Sequence, residues 1–152
     1  MLVKTIFSGF GGQGVLSMGF TVANTAMLEG KHVTYLPSYG VEVRGGTANC
    51  TIVVSDEEIA SPVASDPDYV VAMNQPSFAR FQSILQSGGL IAVNSSIVDT
   101  SAGRSDIEIL AVPTSDLAEQ IGTIKVANMI LLGAFIKASS IVGFDFLMDH
   151  LT

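Results

Sequence analysis

Charged residues are scarce in this chain, and their scarcity is the first constraint on its function. Asp, Glu, Lys and Arg make up 14% of the 152 residues, against roughly 25% in ordinary soluble domains, and the mean hydropathy is +0.50. A monomer with so few charges would expose large apolar patches. We therefore expect partner subunits to cover part of its surface. The alternative is a compact, thermostable monomer.

Basic residues are fewer than acidic residues. Seven Lys and Arg stand against fourteen Asp and Glu, which gives a net charge of −7, and the basic residues are scattered along the chain. A nucleic-acid surface needs clustered basic residues to contact phosphates. The charge pattern therefore argues against nucleic-acid binding.

Cysteine is limited to one residue, Cys50. One cysteine excludes an intramolecular disulfide and any cysteine-ligated metal or iron–sulfur site supplied by this chain alone. Because Cys50 lies in an apolar alternation, we predict a buried structural thiol in a reducing, cytoplasmic protein. His32 and His150 are far apart without ligand spacing, so we predict no metal site.

Long apolar runs and a signal peptide are missing as well. Residues 1–7 are too few for a signal peptide and lack a cleavage site. The one membrane candidate, residues 124–142, contains Lys125, Asn128 and Lys137, and its apolar run at residues 126–136 has only the length of a buried helix. We predict no membrane span and a core or interface helix in this region.

What is present is an alternation of strands and helices. Strands are predicted at residues 2–7, 32–36, 47–54, 69–73, 90–94 and 107–112. Helices are predicted at residues 15–28, from 76 to about 86, from 114 with Leu117 and Ile121 inside, from about 124, and from 144 to 151. No helix separates the second and third strands, which favours an antiparallel pair there. The pattern predicts a single three-layer α/β/α domain over residues 1–152 with a mixed, mostly parallel sheet. The chain stops inside a predicted helix, which allows for a truncated C-terminus.

A glycine cluster after the first strand is the first candidate site. Gly9, Gly11 and Gly14 satisfy the dinucleotide pattern G-x-G-x-x-G between a strand and a helix. Glycine lets the backbone approach a bulky group, and the amides that open a helix favour negative charge. We predict a Rossmann-like glycine loop that binds a phosphate-bearing ligand, with a purely structural tight turn as the alternative. The candidate residues are Gly9, Gly11, Gly12, Gln13 and Gly14.

Classical NAD binding is disfavoured by the residues after the second strand. A nicotinamide site needs an acidic residue at the end of that strand to hold the ribose. This sequence has Leu36, Pro37 and Ser38 there, and Glu29 precedes the strand.

A second glycine-rich cluster comes after the second strand. Its Arg44 can bind phosphate or carboxylate in a bidentate way, and Glu42, Gly45 and Gly46 flank it before Thr47 starts the third strand. A solvated Glu42–Arg44 pair on a surface loop is the alternative. The density of glycines is more typical of a close backbone approach to a ligand or partner.

Polar residues also come after the fourth and fifth strands, at Asn74-Gln75 and at residues 94–96. Ligands of open α/β sheets bind beyond the carboxyl ends of the strands, so Asn74 is included among the site candidates. Helix capping and a simple turn explain both groups without a ligand, and we favour that interpretation for them.

Three motifs together resemble a known family. They are G-F-G-G-Q-G-V at residues 9–15, P-S-Y-G-V-E-V-R-G-G-T-A-N-C at residues 37–50 and A-M-N-Q-P-S at residues 72–77. In this order they resemble the gamma subunit of 2-oxoacid:ferredoxin (acceptor) oxidoreductases, and the 2-oxoglutarate members most closely. The likeness runs from residue 2 to about residue 146.

The resemblance implies a multisubunit enzyme that oxidatively decarboxylates a 2-oxoacid on thiamine diphosphate. Electrons pass through iron–sulfur clusters to ferredoxin or another acceptor, and coenzyme A receives the acyl group. The alpha, beta and delta subunits would hold the thiamine diphosphate and the clusters, so this chain would contribute no catalytic residue and be inactive alone.

In the related single-chain pyruvate enzymes, the equivalent domain closes over the thiamine site and helps to bind coenzyme A. Those enzymes often carry lysine where Arg44 stands. Carried over by motif, the binding role falls on Gly9, Gly11, Gly12, Gln13, Gly14, Arg44, Gly45, Gly46 and Thr47.

Two other functions remain open: a free-standing nucleotide-binding regulatory module and a self-contained NAD-dependent oxidoreductase. The apolar excess favours the subunit, because neither alternative requires so few charges.

Overall fold

The computed structural model describes residues 1–11, 13–39 and 47–150, and within these ranges six strands form one sheet. The strands are β1 (Leu2–Phe10), β2 (His32–Tyr39), β3 (Thr47–Ser55), β4 (Tyr69–Ala72), β5 (Leu90–Asn94) and β6 (Glu108–Val112). Their order across the sheet is β2-β3-β1-β4-β5-β6. β3 is antiparallel to both of its neighbours, and β1, β4, β5 and β6 pair in parallel. The predicted mixed, mostly parallel sheet is confirmed.

Five α-helices connect or follow these strands. They are α1 (Val15–Leu28), α2 (Gln75–Gln82), α3 (Thr114–Ile121), α4 (Ala127–Ser139) and α5 (Phe144–Asp149), and a 3₁₀ turn, Ile124–Val126, precedes α4. Within the described ranges, no helix is long and apolar enough to cross a membrane.

Two apolar cores lie on opposite faces of the sheet, as the alternation of side chains along a strand requires. On one face, Phe7 of β1 packs with residues of α1, α4 and α5, and its ring meets that of Phe135 edge to face at 5.8 Å. On the other face, Ile6 packs with Phe78 and Phe81 of α2. The two cores confirm the three-layer arrangement.

The first helix has the bounds that its apolar spacing predicts. Val15, Met18, Val22 and Ala26 are all buried against the sheet. This helix also lies close to β3, because Gly19 leaves room for the sulfur of Cys50, which a Cβ at residue 19 would overlap.

Cys50 is fully buried, and this burial raises the pKa of its thiol to about 12. Its Sγ contacts the carbonyl oxygen of Val15 at 3.7 Å. The prediction of a buried structural thiol is confirmed.

Several predicted boundaries differ from the structure. β1 continues to Phe10 because it pairs with β3 up to Thr47. β2 passes through Pro37 to Tyr39, which an edge strand tolerates because one side of its backbone has no strand to bond. α2 ends at Gln82 rather than near residue 86, and the long helix predicted from residue 124 begins with a 3₁₀ turn.

Candidate functional site

The candidate residues meet at one edge of the sheet. β1, β2, β4, β5 and β6 end there, and antiparallel β3 begins there, with Thr47 opposite Phe10. Among the described residues, Gly9, Gly11, Gln13, Gly14, Thr47, Asn74 and Asn94 therefore lie on the same side, as predicted. Gly12, Glu42, Arg44, Gly45 and Gly46 lie outside the described residues.

The Rossmann-like glycine loop is not confirmed. Gly9 is a paired residue of β1, opposite Ala48 of β3, rather than part of a loop. The turn itself is short, and the N–H of Gln13 donates to the carbonyl oxygen of Phe10 at 3.2 Å.

The sheet order also differs from that of a dinucleotide-binding site. In a Rossmann fold the second strand adjoins the first, so that its terminal acid reaches the ribose. Here β3 lies between β1 and β2, which puts the end of β2 about 10 Å away at two strand spacings. The described end of β2 offers Leu36, Pro37 and Ser38, none of which is acidic.

The side chain of Gln13 folds back beneath the turn. Its Oε1 accepts the N–H of Phe10 at 2.7 Å, and its Nε2 donates to the carbonyl oxygen of Met73 at 3.3 Å. A Cβ at Gly9 would lie 2.6 Å from Gln13 Oε1 and 3.0 Å from Met73 Cβ. Gly9 is therefore required by the packing of Gln13, and these polar atoms of Gln13 are engaged within the chain.

Gly14 and Gly11 differ in what surrounds them. Gly14 is the N-cap of α1 in the left-handed region, with φ 77, and a Cβ there would overlap Asn128 Nδ2. Gly11 is exposed, and a Cβ there would meet no atom of the described residues within 4 Å.

The first turn of α1 is suited to a negative group. Gly14 has no side chain with which to cap the helix, and the free amides and the dipole at a helix N-terminus favour anions. The sequence-based expectation of an anion at this helix is consistent with the geometry.

A polar cleft of about 210 Å³ adjoins the turn. Its polar lining residues are Gln13, Asn94, Ser115, Lys125 and Asn128, and Met73, Ile124 and Ala127 complete the lining. Sequence reasoning missed Lys125 and Asn128 as site residues, because they follow a helix distant in sequence. A signal was present: both are polar positions that interrupt an apolar run.

Asn74 is a buried N-cap. Its Oδ1 accepts the N–H of Ser77 at 2.9 Å and its Nδ2 donates to Gln13 Oε1 at 3.5 Å. Helix capping, the interpretation favoured from the sequence, is confirmed.

Asn94 holds a turn and a helix start together. Its Oδ1 accepts N–H groups of Ser96, Thr114 and Ser115 at 3.1–3.3 Å, and its Nδ2 donates to Ser115 Oγ at 2.8 Å. Its predicted turn role is confirmed, and its hydrogen bonds to the start of α3 are an additional role.

Metal ligation finds no support in the part of the chain that is described. There, no group of three or more His, Cys, Asp and Glu side chains could hold a metal ion.

Two related proteins share much of this sequence. Ketoisovalerate oxidoreductase subunit VorA of Methanothermobacter thermautotrophicus is 41% identical over 143 residues, which cover 94% of this chain and 29% of that protein. This chain thus spans less than a third of that relative's length. 2-Oxoglutarate synthase subunit KorC of Methanothermobacter marburgensis is 34% identical, over 89% of this chain and 76% of that subunit.

Two solved structures share the fold. The gamma subunit of a keto/oxoacid ferredoxin oxidoreductase from Geobacter sulfurreducens has a TM-score of 0.82 at 28% identity, covering 97% of this chain and 83% of that one. The 2-oxoglutarate:ferredoxin oxidoreductase from Magnetococcus marinus, with 2-oxoglutarate, coenzyme A and succinyl-CoA bound, has a TM-score of 0.88 at 19% identity. The match covers 97% of this chain and 26% of that one, and shows the fold alone.

The predicted resemblance is thus found in sequence and in structure. The sequence model of one family, pyruvate ferredoxin/flavodoxin oxidoreductase, matches residues 4–152. The chain belongs to the pyruvate ferredoxin/flavodoxin oxidoreductase family.

Proposed function

We propose that this chain is the gamma-type subunit of a cytoplasmic, thiamine-diphosphate-dependent 2-oxoacid:ferredoxin (acceptor) oxidoreductase. It contributes to coenzyme A binding and to closure of the active site. The observation that carries the proposal is the N-terminus of α1, where Gly14 has no side chain to cap the helix, beside a polar cleft that Lys125 lines. The family match over residues 4–152 supports an oxidoreductase as the protein that contains this helix N-terminus.

The residues of this edge fit a phosphate-bearing molecule. The α1 N-terminus favours negative charge, no described residue lies within 4 Å of where a Cβ of residue 11 would stand, and Lys125 adds a positive charge in a chain of net charge −7. Arg44 with Gly45, Gly46 and Thr47 is proposed to add a second cation and a close backbone approach. When bound, coenzyme A supplies the thiol that receives the acyl group.

Redox chemistry is assigned to other subunits. The only cysteine of this chain is fully buried, and its raised pKa keeps the thiol protonated, whereas cluster ligation needs several thiolates. The alpha, beta and delta subunits are therefore proposed to hold thiamine diphosphate and the iron–sulfur clusters, with ferredoxin or another acceptor taking the electrons.

Apolar surface supports the assignment of partner subunits. An open apolar groove of about 510 Å³ runs between α4 and α5, with Met129, Phe144 and Met148 on its walls. A second apolar surface lies where Phe20 of α1 meets Tyr35 of β2, with ring centroids 6.0 Å apart. In an assembled enzyme such surfaces would be covered by other chains.

The 2-oxoacid is proposed to be 2-oxoglutarate, because the three motifs are assigned to those members from the sequence and a 2-oxoglutarate synthase subunit is 34% identical over 76% of its own length. Ketoisovalerate is the competing substrate, since a subunit named for it is 41% identical to this chain. Selectivity should lie mainly on the thiamine-binding subunits, so assays of the whole enzyme must decide.

Co-purification from the native cell tests the proposal. The tagged chain should bring down thiamine-binding and ferredoxin-like subunits, identified by mass, and the complex should reduce an acceptor in a 2-oxoacid- and coenzyme A-dependent way. A chain that purifies alone and binds NAD with micromolar affinity would contradict the proposal and support a self-contained NAD-dependent enzyme.

A further inference from the structure

The amide of Gln13 joins three segments at the edge of the sheet. It accepts from the N–H of Phe10 at the end of β1, donates to the carbonyl oxygen of Met73 after β4, and lies 3.5 Å from the Nδ2 of the α2 N-cap Asn74. The N–H of Met73 itself donates to the carbonyl oxygen of Ser8 at 2.8 Å. Gln13 thus extends the pairing of β1 and β4 beyond the last residues of both strands.

These hydrogen bonds of the Gln13 side chain lie next to the start of α1. Gln13 is two residues before Val15, and Gly14 between them has no side chain. The hydrogen bonds of Gln13 thus tie the residue before Gly14 to β1 and to the residue after β4, next to the first-turn amides of α1.

The space for this attachment comes from Gly9. A Cβ at residue 9 would lie 2.6 Å from Gln13 Oε1, closer than any real contact allows. Gly9 and Gln13 therefore pack together. Each supports the geometry of the turn whether or not it contacts a ligand.

We infer that Gln13 is a positioning residue for coenzyme A, which fixes the α1 N-terminus at the sheet edge, rather than a residue that binds the coenzyme itself. This inference rests on the proposed function. Loss of the Gln13 hydrogen bonds should therefore affect coenzyme A binding alone. It would displace the amides at the α1 N-terminus, whereas the chemistry on other subunits would not change.

The substitution Gln13→Met in the assembled enzyme tests it, because methionine keeps the length of the side chain and removes its polar atoms. We expect the KM for coenzyme A to rise about tenfold, since small displacements of positioning groups have effects of this order or larger. The kcat at saturating coenzyme A and decarboxylation without coenzyme A should stay close to wild type. Hydrogen exchange of the Phe10 amide in the full chain should become faster.

A matched control is Gln82→Met. Gln82 also makes two backbone hydrogen bonds, from the N–H of Arg104 at 3.1 Å and to the carbonyl oxygen of Ala102 at 3.3 Å, at the far end of α2. It should lose a similar amount of stability and leave the KM for coenzyme A unchanged.

Two results would overturn the inference: unchanged exchange at Phe10 in Gln13→Met, or faster exchange with an unchanged KM in an enzyme that depends on coenzyme A. If the wild-type enzyme shows no coenzyme A dependence, the proposed function fails instead. The exchange measurement then still decides whether Gln13 holds the turn.

Discussion

The side-chain nitrogen of Asn128 lies against Gly14, in the space that a side chain at residue 14 would need. The contact brings the N-terminus of α4 to the N-terminus of α1, although 114 positions separate the two residues in sequence. Gly14 is required for a second reason, because its φ of 77 lies in the left-handed region.

Replacing Gly14 should therefore be costly. We expect Gly14→Ala to reduce the free energy of unfolding by about 1–2 kcal/mol from the left-handed backbone, with a smaller addition because the end of the Asn128 side chain must move. Chemical denaturation measures the change. Gly11→Ala is the control, with an expected effect within about 0.5 kcal/mol, because its Cβ would meet open space.

The double variant Gly14→Ala/Asn128→Ala separates the two causes. It should regain the part lost to overlap and keep the part lost to backbone strain. A double variant no more stable than Gly14→Ala would contradict the overlap with Asn128, and equal stability of Gly14→Ala and Gly11→Ala would contradict the backbone strain as well.

Cys50 should make stability depend on alkaline pH. Burial raises its pKa from 9.0 to about 12 in the folded chain, so between these values the unfolded chain releases a proton that the folded chain keeps. The free energy of unfolding then falls with rising pH by about 1.4 kcal/mol per unit from this group, and no such loss occurs below pH 9.

The comparison is between wild type and Cys50→Ala, each unfolded in denaturant from pH 8 to pH 11. Cys50→Ala should be less stable at pH 8, because it leaves a small cavity, but its stability should decline less steeply as pH rises. Parallel curves would show that the thiol titrates as it does in the unfolded chain.

Arg104 should stabilise the end of α2. Its guanidinium donates to the carbonyl oxygens of Gln82 and Leu85, both at 2.7 Å, and to both carboxylate oxygens of Asp106. Its hydrogen bond to Asp106 lowers the pKa of that carboxyl group. The pair therefore contributes stability above the ordinary pKa of aspartate, and this is lost as pH falls through the lowered value.

We expect Arg104→Ala to lower Tm at pH 7, and the difference from wild type to narrow at low pH as Asp106 becomes protonated. Thermal unfolding followed by circular dichroism at both pH values measures it. Arg80→Ala is the control, because Arg80 is exposed and its guanidinium stacks over one ring, that of Phe81. An equal loss in both variants would contradict the capping role of Arg104.

The elements whose bounds and pairing were predicted correctly from the sequence depend on local signals. The apolar spacing from Val15 to Ala26 predicts α1 with its observed bounds, and the missing helix between β2 and β3 predicts their antiparallel pairing. Such patterns come from the periods of a helix and a strand, which a sequence displays directly.

The features that were predicted wrongly or missed depend on contacts between residues distant in sequence. The end of β1 is set by pairing with Thr47, so Gly9 falls inside a strand although its motif is typical of a loop. Lys125 and Asn128 reach the site only because α4 packs its N-terminus against Gly14. Their polarity marks both residues within an apolar run, but no local pattern shows which part of the fold they reach.

Lys125 allows the sharpest test of the proposed anion site. It lines the polar cleft at the sheet edge, close to the start of α4, and its side chain is exposed. A charge-assisted hydrogen bond contributes about 1.5–3 kcal/mol, less where water screens it. In the assembled enzyme, Lys125→Ala should therefore raise the KM for coenzyme A by roughly threefold to tenfold, and added salt should reduce the difference from wild type.

Lys4→Ala is the matched control, because Lys4 lies near the amino end of β1, at the opposite edge of the sheet. Both variants remove one positive charge, so a general electrostatic effect on coenzyme A would appear in both. An increase confined to Lys125→Ala places the coenzyme at the cleft beside the glycine turn. An unchanged KM in a Lys125→Ala enzyme that assembles normally would mean that the negative groups of the coenzyme lie elsewhere, and that the cleft serves only to pack α4 against α1.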